Sequence, residues 1–151
     1  MTRDSMNDQA ATGPQASVPA APAVLVVDDA ATVRAYHSGI LAEAGFAVQE
    51  AANGYEALEL TLAERFALLV VDVNMPVMDG YTFVESARRD SIFPEVPIIM
   101  ISTERHQGDA DEAYRAGANL YLVKPVDSEL LVFTAQLLTG RFAGTTAGTG
   151  S

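Results

Sequence analysis

The segment Leu68-Leu69-Val70-Val71-Asp72, continued by Val73-Asn74-Met75-Pro76-Val77-Met78-Asp79-Gly80, decides how this chain folds. Residues 67–71 are apolar without alternation, which is typical of a strand covered on both faces. The strand ends in a carboxylate, Asp72. In an open parallel α/β sheet, ligands bind in the crevice at the carboxyl ends of the strands. The segment therefore predicts a buried strand that carries Asp72 to the functional edge of a sheet.

The rest of the chain repeats a strand followed by a helix. Besides the central strand, apolar runs predict strands over residues 23–27, 46–51, 96–101 and 120–123. Helical spacing predicts five helices: one capped by Thr32 and stopped by Gly45, one after Asn53-Gly54, one over 81–89, one from about 109 to 116, and one capped by Asp127 or Ser128. Five such units imply right-handed crossovers and a parallel sheet covered on both sides.

The composition of the second strand indicates the order of the strands in the sheet. Residues 46–51 are half-polar, which suits an edge and favours the strand order 2-1-3-4-5 over the dinucleotide-binding order. The first strand is not followed by a glycine-rich phosphate loop. We therefore predict a flavodoxin-like, doubly wound (βα)5 fold of the α/β class.

The ends of the chain differ from its middle. Residues 1–23 and 140–151 are rich in Pro, Gly, Ala and Thr and hold few large apolar side chains, so we predict disordered, flexible tails around one domain at 24–139. The sequence has no cysteine, no secretory h-region and no apolar segment of membrane-spanning length. We expect a cytoplasmic protein.

Charge limits the possible partners. The 151-residue chain has 20 acidic and 9 basic residues, a formal net charge of −11, and its single lysine is Lys124. Nucleic acids and anionic membranes are bound by Lys/Arg-rich surfaces, which this chain lacks. We expect neither as a partner.

Several polar side chains should meet at the carboxyl edge of the predicted sheet. They are Asp28 and Asp29 after strand 1, Asp72 after strand 3, Ser102 and Thr103 after strand 4, and Lys124 after strand 5. Three close carboxylates repel one another unless a cation joins them, and all-oxygen ligands favour Mg²⁺, or Mn²⁺, over zinc. A hydroxyl and an ammonium opposite the metal suit an anion such as a phosphoryl group. The pattern indicates phosphoryl transfer to a carboxylate.

Four motifs resemble the receiver domain of two-component response regulators. They are Val27-Asp28-Asp29, the segment 71–80, Ile101-Ser102-Thr103 and Val123-Lys124-Pro125, and the resemblance covers 24–139. Because no output domain is recognised beside it, the chain resembles the stand-alone, CheY-like chemotaxis type. The resemblance implies that Asp72 accepts phosphate from a histidine kinase or a histidine phosphotransfer protein.

The resemblance also implies roles for the neighbouring residues. Asp29, Asp72 and the main-chain carbonyl of Asn74 would hold Mg²⁺ directly, with Asp28 acting through water. Lys124, before a cis Pro125, would pair with the phosphoryl group.

A conformational switch follows from the same resemblance. Ser102 would move to hydrogen-bond the phosphoryl group, and Tyr121 would turn from an exposed to a buried rotamer. The fourth helix, fifth strand and fifth helix would then repack into a docking surface.

Several neighbouring residues have other expected roles. Thr103 stands where the family usually has a very small residue and would narrow access to Asp72. Asn74 and Glu104 match polar residues that flank the site in fast-hydrolysing chemotaxis members of the family, which is the opposite cue. The two cues conflict, so no phosphoryl lifetime is predicted. Asp79 is expected to shape the turn after the central strand together with Gly80, and His37 is expected to be a packing residue.

Several functions remain open at this point. The leading one is a phosphorylation-controlled switch that binds a target such as a flagellar motor switch component. A phosphate sink or relay would have the same chemistry without its own output. An aspartate-nucleophile phosphatase is disfavoured because Asp28-Asp29 lacks the Asp-x-Asp spacing, and a phosphorylation-independent scaffold is disfavoured because the charged positions are all present. The protein is expected not to be a conventional enzyme, although it would catalyse its own phosphorylation and dephosphorylation.

Overall fold

The computed structural model describes residues 20–141. Strands and helices alternate through this range: β1 (Ala23–Val27), α1 (Ala31–Glu43), β2 (Ala47–Ala51), α2 (Gly54–Ala63), β3 (Leu68–Asp72), α3 (Gly80–Asp90), β4 (Ile98–Ser102), α4 (Gln107–Ala116), β5 (Leu120–Val123) and α5 (Ser128–Thr139). Most of both predicted tails, residues 1–19 and 142–151, lies outside the described residues. No helix within 20–141 is long and apolar enough to cross a membrane.

The five strands form one parallel sheet. Their order is β2-β1-β3-β4-β5, which confirms the predicted flavodoxin-like topology. β3 lies at the centre between β1 and β4, and all five of its residues are buried. β2 is an edge strand with a largely exposed surface, as its half-polar sequence predicts.

The sheet separates two apolar layers. Alternate residues of β3 point to opposite faces: Leu69 and Val71 pack with Phe83 of α3, whereas Leu68 and Val70 pack with Leu131 of α5. The first layer also includes side chains from α2 and α4, and the second includes side chains from α1. A strand covered in this way must be apolar at every position, which explains the continuous run in its sequence.

Side-chain caps begin three of the helices. Asn53, Asp79 and Asp127 each accept a hydrogen bond from a main-chain N–H in the first turn of the following helix. At α2, the Glu56 carboxylate accepts a further hydrogen bond from the N–H of Ala52, the residue before the cap. The expected structural role of Asp79 in the turn with Gly80 is thereby confirmed.

The start of α1 differs from the prediction. Thr32 was expected to cap this helix, but the helix begins at Ala31, and the N-cap residue Ala30 makes no side-chain cap. The reason is that the Asp28 side chain accepts a 2.9 Å hydrogen bond from the Ala30 N–H and closes the turn before Thr32 is reached.

Candidate functional site

Three carboxylates meet at the carboxyl edge of the sheet. Asp28 and Asp29 follow β1, Asp72 ends β3, and these neighbouring strands pair Val27 with Val71. One oxygen from each carboxylate lies within 4.8 Å of the others. Asp28 and Asp72 are 2 % and 4 % exposed, whereas Asp29 is open to solvent. The cluster therefore has a buried floor and an accessible rim.

Lys124 joins this cluster from the end of β5. Its Nζ lies 2.9 Å from Asp72 Oδ1 and 3.1 Å from Asp28 Oδ2. The Lys124–Pro125 peptide bond is cis, as expected. One ammonium thus bridges the two buried carboxylates.

Without a further cation, the negative charges of the cluster repel one another. Burial raises the pKa of the Asp72 carboxyl, although the hydrogen bond from Lys124 acts against this effect. Burial alone would lower the pKa of Lys124, but its bonds to Asp72 and the charges of Asp72 and Asp28 outweigh burial and raise it. Three carboxylates face one ammonium, so the formal excess is two negative charges. Clustered carboxylate oxygens with an open rim fit a hard divalent cation such as Mg²⁺.

The Ser102 hydroxyl lies beside the cluster at the end of β4. The residue is fully buried, and its Oγ accepts hydrogen bonds from the Glu104 N–H at 3.0 Å and from the Asn74 amide at 3.3 Å. Asn74 lies in the β3–α3 connection, directly after the central strand and its aspartate. The Ser102 hydroxyl therefore links the end of β4 to the segment that follows β3.

The β3–α3 connection leaves no room for a side chain at Gly80. The Gly80 N–H donates a 2.8 Å hydrogen bond to the Val73 carbonyl, and a Cβ at Gly80 would collide with the Asp72 carbonyl oxygen. Glycine here lets α3 start directly against the strand end that carries Asp72.

Tyr121 and Thr103 lie on different sides of the site. Tyr121 is half-buried against the layer that contains α3 and α4, and its phenol donates a 2.7 Å hydrogen bond to the Glu104 carbonyl. Thr103 is exposed and lines a cavity between α1 and the β5–α5 connection.

Three hydrogen bonds near the site were not predicted from the sequence. The main chain of Glu104 bonds to both Ser102 and Tyr121, and a main-chain contact leaves no residue-type signal. The phenol of Tyr81 donates a 3.3 Å hydrogen bond to the Asp109 carbonyl at the start of α4.

His37 is buried, in line with the packing role expected of it, and it also lines the cavity beside Thr103.

Comparison with known proteins agrees with this geometry. The family model described as the response regulator receiver domain matches residues 24–136. The chemotaxis protein CheY1 of Helicobacter pylori is 40 % identical over 119 residues, which cover 78 % of this chain and 96 % of CheY1. The solved structure of chemotaxis protein CheY4 from Vibrio cholerae has a TM-score of 0.75 and 40 % identity, covering 79 % of this chain and 99 % of that one.

A third relative concerns the acidic cluster. The receiver domain of the sensor histidine kinase PA1611 from Pseudomonas aeruginosa has a TM-score of 0.74 and 29 % identity, covering 80 % of this chain and 99 % of that one. It was crystallised with a magnesium ion coordinated in its active-site cleft. With the family match, the fold and the relatives in agreement, this chain belongs to the response regulator receiver-domain family and resembles its CheY-type members.

Proposed function

We propose that this protein is a response regulator of a two-component phosphorelay, acting in chemotaxis, and that it accepts a phosphoryl group on Asp72. The observation that carries the proposal is the buried Asp72 carboxylate held 2.9 Å from Lys124 beside two further aspartates. The donor would be a histidine kinase or a histidine phosphotransfer protein in the cytoplasm. Because the protein itself is modified, it is a signalling protein and not a conventional enzyme.

The acidic cluster would hold the metal that this reaction needs. The carboxylates of Asp28, Asp29 and Asp72 lie close enough together to share a cation. Asp29, Asp72 and the main-chain carbonyl of Asn74 would hold Mg²⁺, or Mn²⁺, directly, with Asp28 acting through water. When bound, the cation offsets the negative charge of the carboxylates and of the phosphoryl oxygens.

The protein residues share the remaining work of the transfer. A carboxylate oxygen of Asp72 forms a bond to phosphorus while the P–N bond of the donor phosphohistidine breaks. The imidazole leaves with that electron pair and takes a proton from solvent. Lys124 remains protonated because its pKa is raised, so its ammonium can donate to a phosphoryl oxygen. The Ser102 hydroxyl can donate to a second phosphoryl oxygen.

Ser102 would also convert the transfer into a change of shape. When its hydroxyl turns toward the phosphoryl group, the hydrogen bond from the Glu104 N–H is released. The Glu104 carbonyl holds the Tyr121 phenol, so movement at residue 104 alters the position of Tyr121. The face formed by α4, β5 and α5 would then present a changed surface to a target, such as a flagellar motor switch component.

Beryllofluoride, which mimics an aspartyl phosphate, tests the proposal. We expect it to bind with Mg²⁺ and to shift amide NMR signals from Asp72 and Ser102 to Tyr121, α4 and α5. Asp72→Asn should abolish the response, and Asp79→Asn, a cap outside the cluster, should retain it.

The extent of the shifts separates the two remaining functions. Shifts confined to the neighbourhood of Asp72 and Ser102 would favour the phosphate sink over the switch. A failure to bind in the presence of Mg²⁺ would refute the proposed site.

A further inference from the structure

A cavity that the proposed function does not use lies between α1 and the β5–α5 connection. Its volume is about 310 Å³. Its apolar lining consists of Val33, Tyr36, Pro125 and Val126, and the polar lining of His37, Thr103 and Lys124. Small-molecule sites typically span about 300–1,000 Å³, are mostly apolar and contain few polar groups, so this cavity has the size and lining of a site for a compact ligand.

His37 is the unusual member of this lining. It is 3 % exposed, and none of the side-chain hydrogen bonds within residues 20–141 involves its imidazole. Among the described side chains, the one atom that is both sealed from solvent and unpaired is Ser38 Oγ. The ring nitrogens of His37 therefore reach accessible space, and the cavity that His37 lines provides it.

Because His37 lines the cavity, a molecule bound there can hydrogen-bond to its imidazole. Burial lowers the pKa of His37, and the nearby charge of Lys124 lowers it further, against the opposing effect of Asp28. The ring is therefore neutral at pH 7 and carries one acceptor nitrogen and one N–H donor. The Tyr36 ring lies beside it, with 5.6 Å between the ring centroids.

The surroundings of the cavity narrow the class of ligand. The positive charge of Lys124, a lining residue, disfavours a cation, and its pairing with Asp28 and Asp72 leaves it no free charge to attract an anion. An apolar lining of this size suits one or two aromatic rings. We propose that the cavity binds a small uncharged aromatic molecule with a single hydrogen-bond donor, such as an indole or a phenol, and that His37 accepts that hydrogen bond.

Indole is a direct probe of this site. We expect the full chain to show saturable amide shifts in residues 33–37 and 123–126, with a dissociation constant of about 1 mM or lower. 1-Methylindole has the same rings without the N–H and should bind about fivefold more weakly, the worth of one hydrogen bond.

Two variants test the residues separately. His37→Leu removes the acceptor and should weaken indole about fivefold while leaving 1-methylindole unchanged. Val33→Phe leaves the imidazole in place but fills the cavity, and it should abolish the binding of both probes. Far-UV circular dichroism checks that each variant is folded. If either variant does not fold, the comparison of the two probes on the wild-type chain decides.

A second apolar groove provides a control for where the indole probe binds. It lies further along α1 and α5 and includes Ile40 and Phe133. Shifts centred on Ile40 and Phe133 that survive both variants would place the probe there and overturn the proposal. Equal affinity for indole and 1-methylindole, or no saturable shift, would also overturn it. None of these readouts requires phosphorylation, so the proposed function stands or falls separately.

Discussion

The phenol of Tyr121 donates a 2.7 Å hydrogen bond to the carbonyl oxygen of Glu104. The N–H of the same Glu104 donates a 3.0 Å hydrogen bond to Ser102 Oγ. One residue's main chain therefore joins the hydroxyl beside Asp72 to the aromatic side chain on β5. This link gives the proposed switch a defined first step.

Removing the phenol oxygen should break this link without removing the ring. We expect Tyr121→Phe to lower the free energy of unfolding by about 0.5–1 kcal/mol, because one partly exposed hydrogen bond is lost. The beryllofluoride-induced amide shifts in α4 should shrink, while those at Ser102 persist. Tyr114→Phe, on an exposed residue of α4, is the control. Undiminished shifts in α4 would show that Tyr121 does not carry the coupling.

The lysine bridge should dominate the stability of the metal-free site. Lys124→Met leaves Asp28 and Asp72 buried without their cation, and we expect it to lower the free energy of unfolding by about 3 kcal/mol. Urea unfolding in the presence of a chelator measures this loss. Arg89→Met, which breaks the exposed pair with Asp90, should cost at most about 1 kcal/mol. Similar losses in both variants would contradict the prediction.

Removing the charge of Asp72, the proposed phosphoryl acceptor, should have the opposite effect on the free energy of unfolding. Burial raises the pKa of Asp72, which means that folding disfavours its charged form at neutral pH. Asp72→Asn should therefore increase the free energy of unfolding of the metal-free protein, measured in the same urea experiment. A decrease would show that the bond to Lys124 outweighs the burial of the charge.

Magnesium should stabilise the folded protein through the acidic cluster. At about 100 times its dissociation constant, a ligand specific for the folded state adds about 2.7 kcal/mol, so the Tm should rise as Mg²⁺ is added. Asp28→Asn should reduce this rise, since it removes one of the clustered carboxylates. Asp79→Asn, outside the cluster, should respond like the wild type. Calorimetry follows both variants, and an equal response would refute the assignment of Asp28.

Two glycines at helix starts should respond differently to replacement by alanine. At Gly80 a Cβ meets the Asp72 carbonyl oxygen, so Gly80→Ala should destabilise the fold by about 2 kcal/mol and displace Asp72. At Gly108 a Cβ has nothing within 4 Å, and alanine in this helical position should be neutral or stabilising by up to about 1 kcal/mol. Chemical denaturation distinguishes these outcomes.

Tyr81 should titrate well above an ordinary tyrosine. Burial and the nearby charge of Glu112 raise its pKa from 10 to about 12. Its protonated form is favoured in the folded state, so the associated stability is complete below pH 10 and is lost as the pH rises toward 12. Tyrosinate absorbance and unfolding curves across this range test the shift. Tyr81→Phe should remove this part of the alkaline loss, and an unchanged pH profile would contradict it.

Local sequence determined most of the architecture of this protein. The unbroken apolar run before Asp72 requires burial on both faces, and the half-polar second strand tolerates only an edge, because an apolar face must leave water whereas a polar one need not. Periodicity placed the five helices, and the motif residues fell at strand ends. The roles of Asp72, Lys124 and Ser102 in phosphoryl transfer stay predictions that the resemblance to receiver domains suggested.

Only the tertiary structure decided how those residues meet. Lys124 reaches Asp28 and Asp72 across separations of 96 and 52 residues, and such distances depend on how whole strands pack. The Asp28 side chain closes the turn before α1 in place of the cap expected of Thr32, because short polar side chains compete for the same main-chain donors.

The hydrogen bonds of Glu104 and the cavity beside His37 also depend on the tertiary structure and not on local sequence. Main-chain hydrogen bonds and enclosed volumes arise from the approach of distant elements, so no residue type in the sequence predicts them. Local physics determined which segments form strands and helices, and packing determined which atoms those segments bring into contact.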